Sequence, residues 1–264
     1  MACRESSLDF LRSLGYTPIL LPRERIAPLD LVGRLPGGRA RQLGSLLRLV
    51  VGDADPPALR TNERVAQISG RHTDALDVGI GLRLLARFLA AFAPITVALE
   101  LAFERARKIE FSYEDVRSDS VDLLELRRWL GRRPSLDHTN PAVDDYFIGE
   151  GEAVVITRTL KADTFGVVAY DEEERRLEVD LTAQRRKLAE AGVEASTDVR
   201  LKITFKGPTR LVFAFQGYRL SIDLRGLHVS DDIPPEMGLL TVVPNRTDGP
   251  QPVILARRGL LALD

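Results

Sequence analysis

The side chains that most readily carry nucleophilic, acid–base or metal chemistry are few: one cysteine, Cys3, and three histidines, His72, His138 and His228. The histidines lie in separate segments, without the short spacing of a metal or catalytic pair, and a lone cysteine forms no internal disulfide and no thiolate metal site. A phosphate-binding loop requires Gly-x-x-x-x-Gly-Lys-Ser/Thr. Gly38 to Ser45 places five residues between its glycines and has no lysine, and Gly79-Ile-Gly81 lacks the third glycine of a dinucleotide fingerprint. There is no Gly-x-Ser-x-Gly elbow. The acidic pairs Asp144, Asp145 and Asp231, Asp232 fall in loop-like contexts, and Asp171 to Glu174 reads as a hairpin end in water. The expectation is a protein that is not an enzyme and uses neither a metal nor a soluble cofactor.

At 264 residues and 44% hydrophobic content the chain can bury a real core, as one large domain or two small ones. Its net charge of -1 is unevenly spread, since residues 1–52 carry eight arginines against four acids. An anionic lipid surface would attract such a region, and an ordinary solvated face would also present it. With 6% aromatics and neither zinc-finger nor RNP-like patterns, nucleic acid is not an expected partner. The lone cysteine suits a reducing compartment, and Asp9 and Arg12 interrupt Leu8 to Leu14, so no secretory signal is visible and the expected location is the cytoplasm. The longest uncharged apolar run, Phe88 to Leu99, contains Pro94 and falls short of the roughly 20 residues of a spanning helix. Crossing a membrane would need another geometry.

Ser6 and Ser7 precede Leu8, Phe10, Leu11 and Leu14, with Gly15 behind them, which predicts a capped helix followed by extended chain through Pro18, Pro22 and Pro28. A second helix is expected over Gly38 to Val51, a loop at Asp53 to Pro57, and a helix from Val78 to Ala93 stopped by Pro94. From Ile95 to Phe103 and from Ile109 to Tyr113 apolar residues alternate at strand period, although Leu99, Ala102, Phe103 and Ala106 also fit a helix face. Ser120 to Leu130 reads as a helix ended by Gly131, Arg132 to Pro141 as a polar loop, and Thr182 to Ala191 as a helix ended by Gly192. Strands are expected at 153–160, 164–170, 177–181, 199–205, 211–215 and 218–224, the last two joined by a turn at Gln216 and Gly217. The fold class is α+β, a twisted antiparallel β-sheet core surrounded by helices.

Three features are unusual together. Cys3 has the character of a small hydrophobe, yet at the third position it is also placed to carry an acyl chain, worth about 0.8 kcal/mol per buried CH₂. Ile95, Val97, Leu99, Leu101 and Phe103 alternate over the length of a membrane strand, roughly 9 to 11 residues. Phe165, Val167, Leu177 and Val179 fall in two shorter alternating pieces around the charged tip Asp171 to Arg176. The same pattern suits half-buried strands of a water-soluble sheet. The third feature is the C-terminus, where Pro244 to Pro252 reads as an exposed linker of the kind proteases cut. Beyond it Val253, Ile254, Leu255, Leu260, Leu261 and Leu263 form a tail too apolar for water, either an ordinary terminal element of the core or a detachable restraint. The expected organisation is a domain over residues 1–243 and a linker with a short inhibitory peptide over 244–264.

Cys3, Phe10-Leu11, Gly15-Tyr16, Pro22, Ile26 and Pro28-Leu29 resemble the opening of bacterial gasdermins. Phe111 to Trp129, with Asp119-Ser-Val-Asp122, looks like the strand-to-helix segment of that family, and the stretch from Ala153 to Leu224 is similar in order and length. The resemblance covers nearly the whole chain. It implies a monomeric, cytoplasmic form held inactive by the C-terminal peptide until a partner protease, caspase-like or other, removes it during defence against phage. Arg246 and Asp248 are the candidate cut positions, and Cys3 matches the family's palmitoylated cysteine. The freed domain would oligomerise on phospholipid of the bacterial inner membrane and refold Leu76 to Tyr113 and Leu160 to Ala191 into hairpins of a β-barrel pore, killing the cell. Spanning strands leave no backbone group unpaired, so only a closed barrel of many chains would serve. The alternative is a non-pore lipid-binding or protein-interaction domain regulated by its tail.

Overall fold

A computed structural model describes residues 7–51, 55–70, 76–77, 82, 85–86, 88–89, 102–132, 135–137, 139–224, 226–230, 252–255 and 261–263. Helix α1 (Ser7–Ser13) leads into β1 (Thr17–Arg23), β2 (Asp30–Arg34), β3 (Ala40–Ser45), a 3₁₀ turn at Leu46–Arg48, β4 (Val50–Val51), β5 (Leu59–Arg64) and β6 (Leu76–Asp77). There follow β7 (Lys108–Glu114), β8 (Arg117–Val121), helix α2 (Leu123–Leu130), β9 (Ser135–Leu136), β10 (Glu152–Tyr170), helix α3 (Thr182–Glu190), β11 (Glu194–Thr197), β12 (Ile203–Asp223) and β13 (Gly226–Val229).

Two long strands organise the rest. β10 has 19 residues and β12 has 21, both rich in the β-branched and aromatic side chains that suit a pleated surface, and they pair antiparallel over most of their length. Along its other edge β10 is paired in relay by β2 over residues 152–155, by β8 over 158–161 and by β7 over 164–170. The far edge of β12 takes β11, β1 and β13 in the same manner. β4 and β9 form a separate two-stranded ribbon. The expected twisted antiparallel sheet is found, with few helices around it.

Several local expectations are corrected. The strands expected at 153–160 and 164–170 are one strand, and those expected at 199–205, 211–215 and 218–224 merge into another that starts only at Ile203. Gln216 and Gly217 do not turn, because Gly217 pairs with Ile156 inside the ladder, and pairing to neighbours outweighs a local turn signal. The strand expected at 177–181 does not form: the one bridge nearby is made by the preceding Arg176, to Tyr170, and Asp180 instead accepts hydrogen bonds from the backbone and hydroxyl of Thr182 at the start of α3. No helix runs from 38 to 51: Gly44 has φ 99°, a conformation no helix contains, and the segment pairs with β2. The polar loop expected over 132–141 holds β9, and Asn140 caps a helical turn at Pro141–Val143. The helix expected from Ser120 begins later, since Ser120 lies in β8 and the Asp122 carboxylate accepts from Leu124 N at 2.9 Å and Glu125 N at 3.1 Å. Asp122→Ala is expected to lower stability by about 1 kcal/mol, read as a reduced urea midpoint at unchanged slope.

Alternate residues of β10 serve opposite faces. Ala153 and Val155 pack under α2 with Leu126, Trp129 and Leu130, whereas Val154 and Ile156 face Ile19, Val32, Val212 and Phe215. Towards its other end Phe165, Val167 and Ala169 join a cluster with Phe88, Phe111 and Phe205. Tyr113 stacks on Phe213 with centroids 3.8 Å apart, and desolvation of its enclosed phenol pushes the pKa up to about 12. The native state thus holds this proton more tightly than the unfolded chain, so the stabilisation is complete below pH 10.0 and is lost as pH rises to about 12. Across that window the melting temperature of the native chain is expected to fall more steeply than that of Tyr113→Phe.

Candidate functional site: the seat of the C-terminal segment

The C-terminal segment is seated by the turn between α1 and β1. Gly15 makes that turn with φ 82°, and a Cβ there would stand 2.6 Å from Pro252 Cγ, so only glycine leaves room for the segment to pass. Two residues on, the fully buried Thr17 acts as a clasp: its hydroxyl donates to Val253 O at 3.4 Å and accepts from Leu255 N at 3.1 Å. Val253 N donates to Gly217 O of β12 at 2.8 Å. The side chains of Val253 and Leu255 are buried, and Ile254 between them is half-buried.

Further along, Leu261 N donates to Pro18 O at 2.9 Å and Leu261 forms a parallel bridge with Ile19 of β1, while Leu263 bridges Ala40 of β3, also in parallel. The Arg23 guanidinium donates to Leu263 O. In the strand order β1-β12-β10-β2-β3 these partners stand at opposite ends. All four ladders between them are antiparallel, so β1 and β3 point the same way, and the segment runs parallel to both. It therefore joins the two outer edges of the sheet. Val253, Leu255, Leu261 and Leu263 complete a cluster with Ile19, Ile26, Val32, Ala40, Val154, Ile156, Val212 and Phe215. Burying four such side chains contributes at most roughly 6 to 12 kcal/mol before the ordering of the segment is subtracted.

The membrane-strand candidates lie elsewhere. Phe103, Phe165, Val167 and Val179 are buried in one cluster and Leu177 packs against it, with Phe103 in a turn rather than a strand. From Ile156 to Phe165 along β10 the separation is about 30 Å at strand rise, so Phe165 and Val167 share a strand with the seat while all five candidates pack in a different cluster. Cys3, Ile95, Val97, Leu99, Leu101, Arg246, Asp248 and Leu260 lie outside the described residues. Sequence reasoning singled out the apolar tail but missed its receptor: Gly15, Thr17 and Arg23. A threonine in an apolar, proline-bearing strand was the one available hint of a buried polar clasp. Among the described residues no three of His, Cys, Asp and Glu are grouped to hold a metal ion, and no helix is long and apolar enough to cross a membrane. His228 Nδ1 lies 3.0 Å from Gly226 O, a local contact.

An open antiparallel sheet on two long strands, with a C-terminal segment laid across its outer edges, defines the class. Residues 19–231 match the model of the bacterial gasdermin family. The chain is 32% identical to a gasdermin of a Vitiosangium species, over 83% of this chain and 82% of that one. It is 30% identical to a gasdermin of a Desulfuromonadales bacterium, over 84% of each. A solved bacterial gasdermin from Bradyrhizobium tropiciagri has the same fold, with a TM-score of 0.66 at 17% identity, covering 86% of this chain and 91% of that chain. The chain belongs to the bacterial gasdermin family, whose members are known for forming pores rather than for catalysis.

Proposed function

We propose that this chain is an autoinhibited pore-forming protein whose restraint is the seated C-terminal segment. The observation that carries the reading is the seat itself, where four buried aliphatic side chains and the Thr17 clasp hold residues that follow a cleavable linker. A protease, caspase-like or other, cuts within 244–252, with Arg246 and Asp248 as candidate positions. The freed sheet assembles with further copies on phospholipid of the bacterial inner membrane, and residues 76–113 and 160–191 become hairpins of a closed β-barrel, since only closure satisfies every backbone group in lipid. A palmitoyl chain on Cys3 holds the protein at that surface, though one chain alone gives marginal anchoring and needs the basic N-terminal region beside it. Permeabilisation kills the cell, which fits a role in defence against phage. Dye release from vesicles by the cut protein tests the reading: leakage with ring-sized assemblies supports it, and binding without leakage assigns a lipid-binding module instead.

A further inference from the structure

Between Ala162 and Thr164 the pairing of β10 with β12 jumps, so that a single residue, Asp163, faces the four residues 207–210. Such an excess bends the strand and is held by something. What holds it is Arg210. Its Nη2 donates to Asp115 Oδ2 at 2.6 Å, its Nη1 to Asn62 Oδ1 at 3.1 Å, and its Nε lies 3.3 Å from Asp163 Oδ2. Asp115 occupies the turn between β7 and β8 with φ 42° and is also gripped by Arg117 at 3.0 Å, while Asn62 of β5 has φ 60°. The guanidinium thus joins three strands and the turn between β7 and β8 at one point, and it is half-buried, where a forked charged hydrogen bond is stronger than on an open surface.

The position of this point matters more than its strength. Asp115 follows directly on Glu114, and Asp163 directly precedes Thr164, the pair at which β7 and β10 begin their ladder. These are the roots of the two regions assigned above to the membrane hairpins. We propose that Arg210 is a positioning residue for the membrane conversion, which pins both roots together so that neither region extends until the guanidinium lets go, and both then extend in concert. The proposal rests on the pore-forming reading.

The test uses the full chain carrying Arg210→Met, which keeps the apolar stem and removes the fork. Amide hydrogen exchange is expected to quicken about tenfold in both 108–114 and 164–170, as loss of one half-buried charged contact implies, and to stay unchanged in 17–19 and 253–255. After the linker is cut, the lag before vesicle leakage shortens by a similar factor at the same final extent, and Arg210→Lys falls between. Exchange that quickens in one region only or in neither, or a lag that stays the same, overturns the proposal. Should Arg210→Met fail to fold, Asp115→Asn and Asp163→Asn together remove both carboxylate partners of the guanidinium isosterically, and the double variant is read the same way. A native chain that never leaks once cut refutes the pore reading instead, because the exchange experiment needs no membrane.

Discussion

Severing the chain between Pro244 and Pro252 is expected to convert a protein that leaves vesicles intact into one that empties them within minutes. The linker keeps the segment at an effective concentration of about 1 mM, and at a working concentration of about 1 µM its release reduces that by a factor of about a thousand, or about 4 kcal/mol. The four buried side chains of the seat offset part of this loss, so the severed peptide remains bound until dilution or a competing membrane removes it. A synthetic peptide of residues 252–263 added to the cut protein at about 1 mM is therefore expected to suppress leakage, whereas a scrambled peptide of equal composition does not. Leakage indifferent to the peptide would place the restraint elsewhere than in this groove.

Leu261→Glu in the uncut chain is expected to produce leakage without any protease. Leu261 is 8% exposed and packs among aliphatic side chains, with its amide on Pro18 O. A carboxylate there would stand among apolar side chains, and burying it costs about 3 kcal/mol, a fall on the order of a hundredfold in the seated population. The same change at Ile254, which is half-buried beside two buried neighbours, is expected to leave the vesicles sealed. Limited proteolysis of the C-terminus provides the check on undocking: a Leu261→Glu chain whose segment is digested rapidly but which spares the vesicles would show that the segment does not restrain the pore.

Both experiments act at a distance from the chemistry they control. The seat uses Val154 and Ile156 of β10 and Val212 and Phe215 of β12, while the candidate membrane regions use Phe165 and Val167 of β10 and Phe205 of β12. Any effect of the segment on those regions travels along two shared strands, past the bulge at Asp163 and Arg210. A joined sheet whose edges are tied by a parallel segment resists changes of curvature, and one freed at both edges does not.

Much of this protein was legible as a linear pattern. The end of α3 was, because Gly192 leaves it at φ 72° by a backbone preference that only glycine has, and so were the strand residues that became β10 and β12, because period-two alternation reports a face against a core, though not at 177–181. The apolar tail was legible too, since six aliphatic residues after a proline-rich linker must leave water somewhere. The continuity of β10 and β12 was not, because a turn signal such as Gln216-Gly217 is overruled only by partners far along the chain, here Ile156 and Val253. Nor was the receptor of the tail, since Gly15, Thr17 and Ala40 become one surface only when the sheet curls and brings β1 towards β3. Local propensity and periodicity depend on near neighbours and are written in order along the chain; which faces and edges meet depends on pairings between residues far apart in sequence, as between Ile156 and Gly217 or between Ile19 and Leu261, and those exist only in the folded sheet.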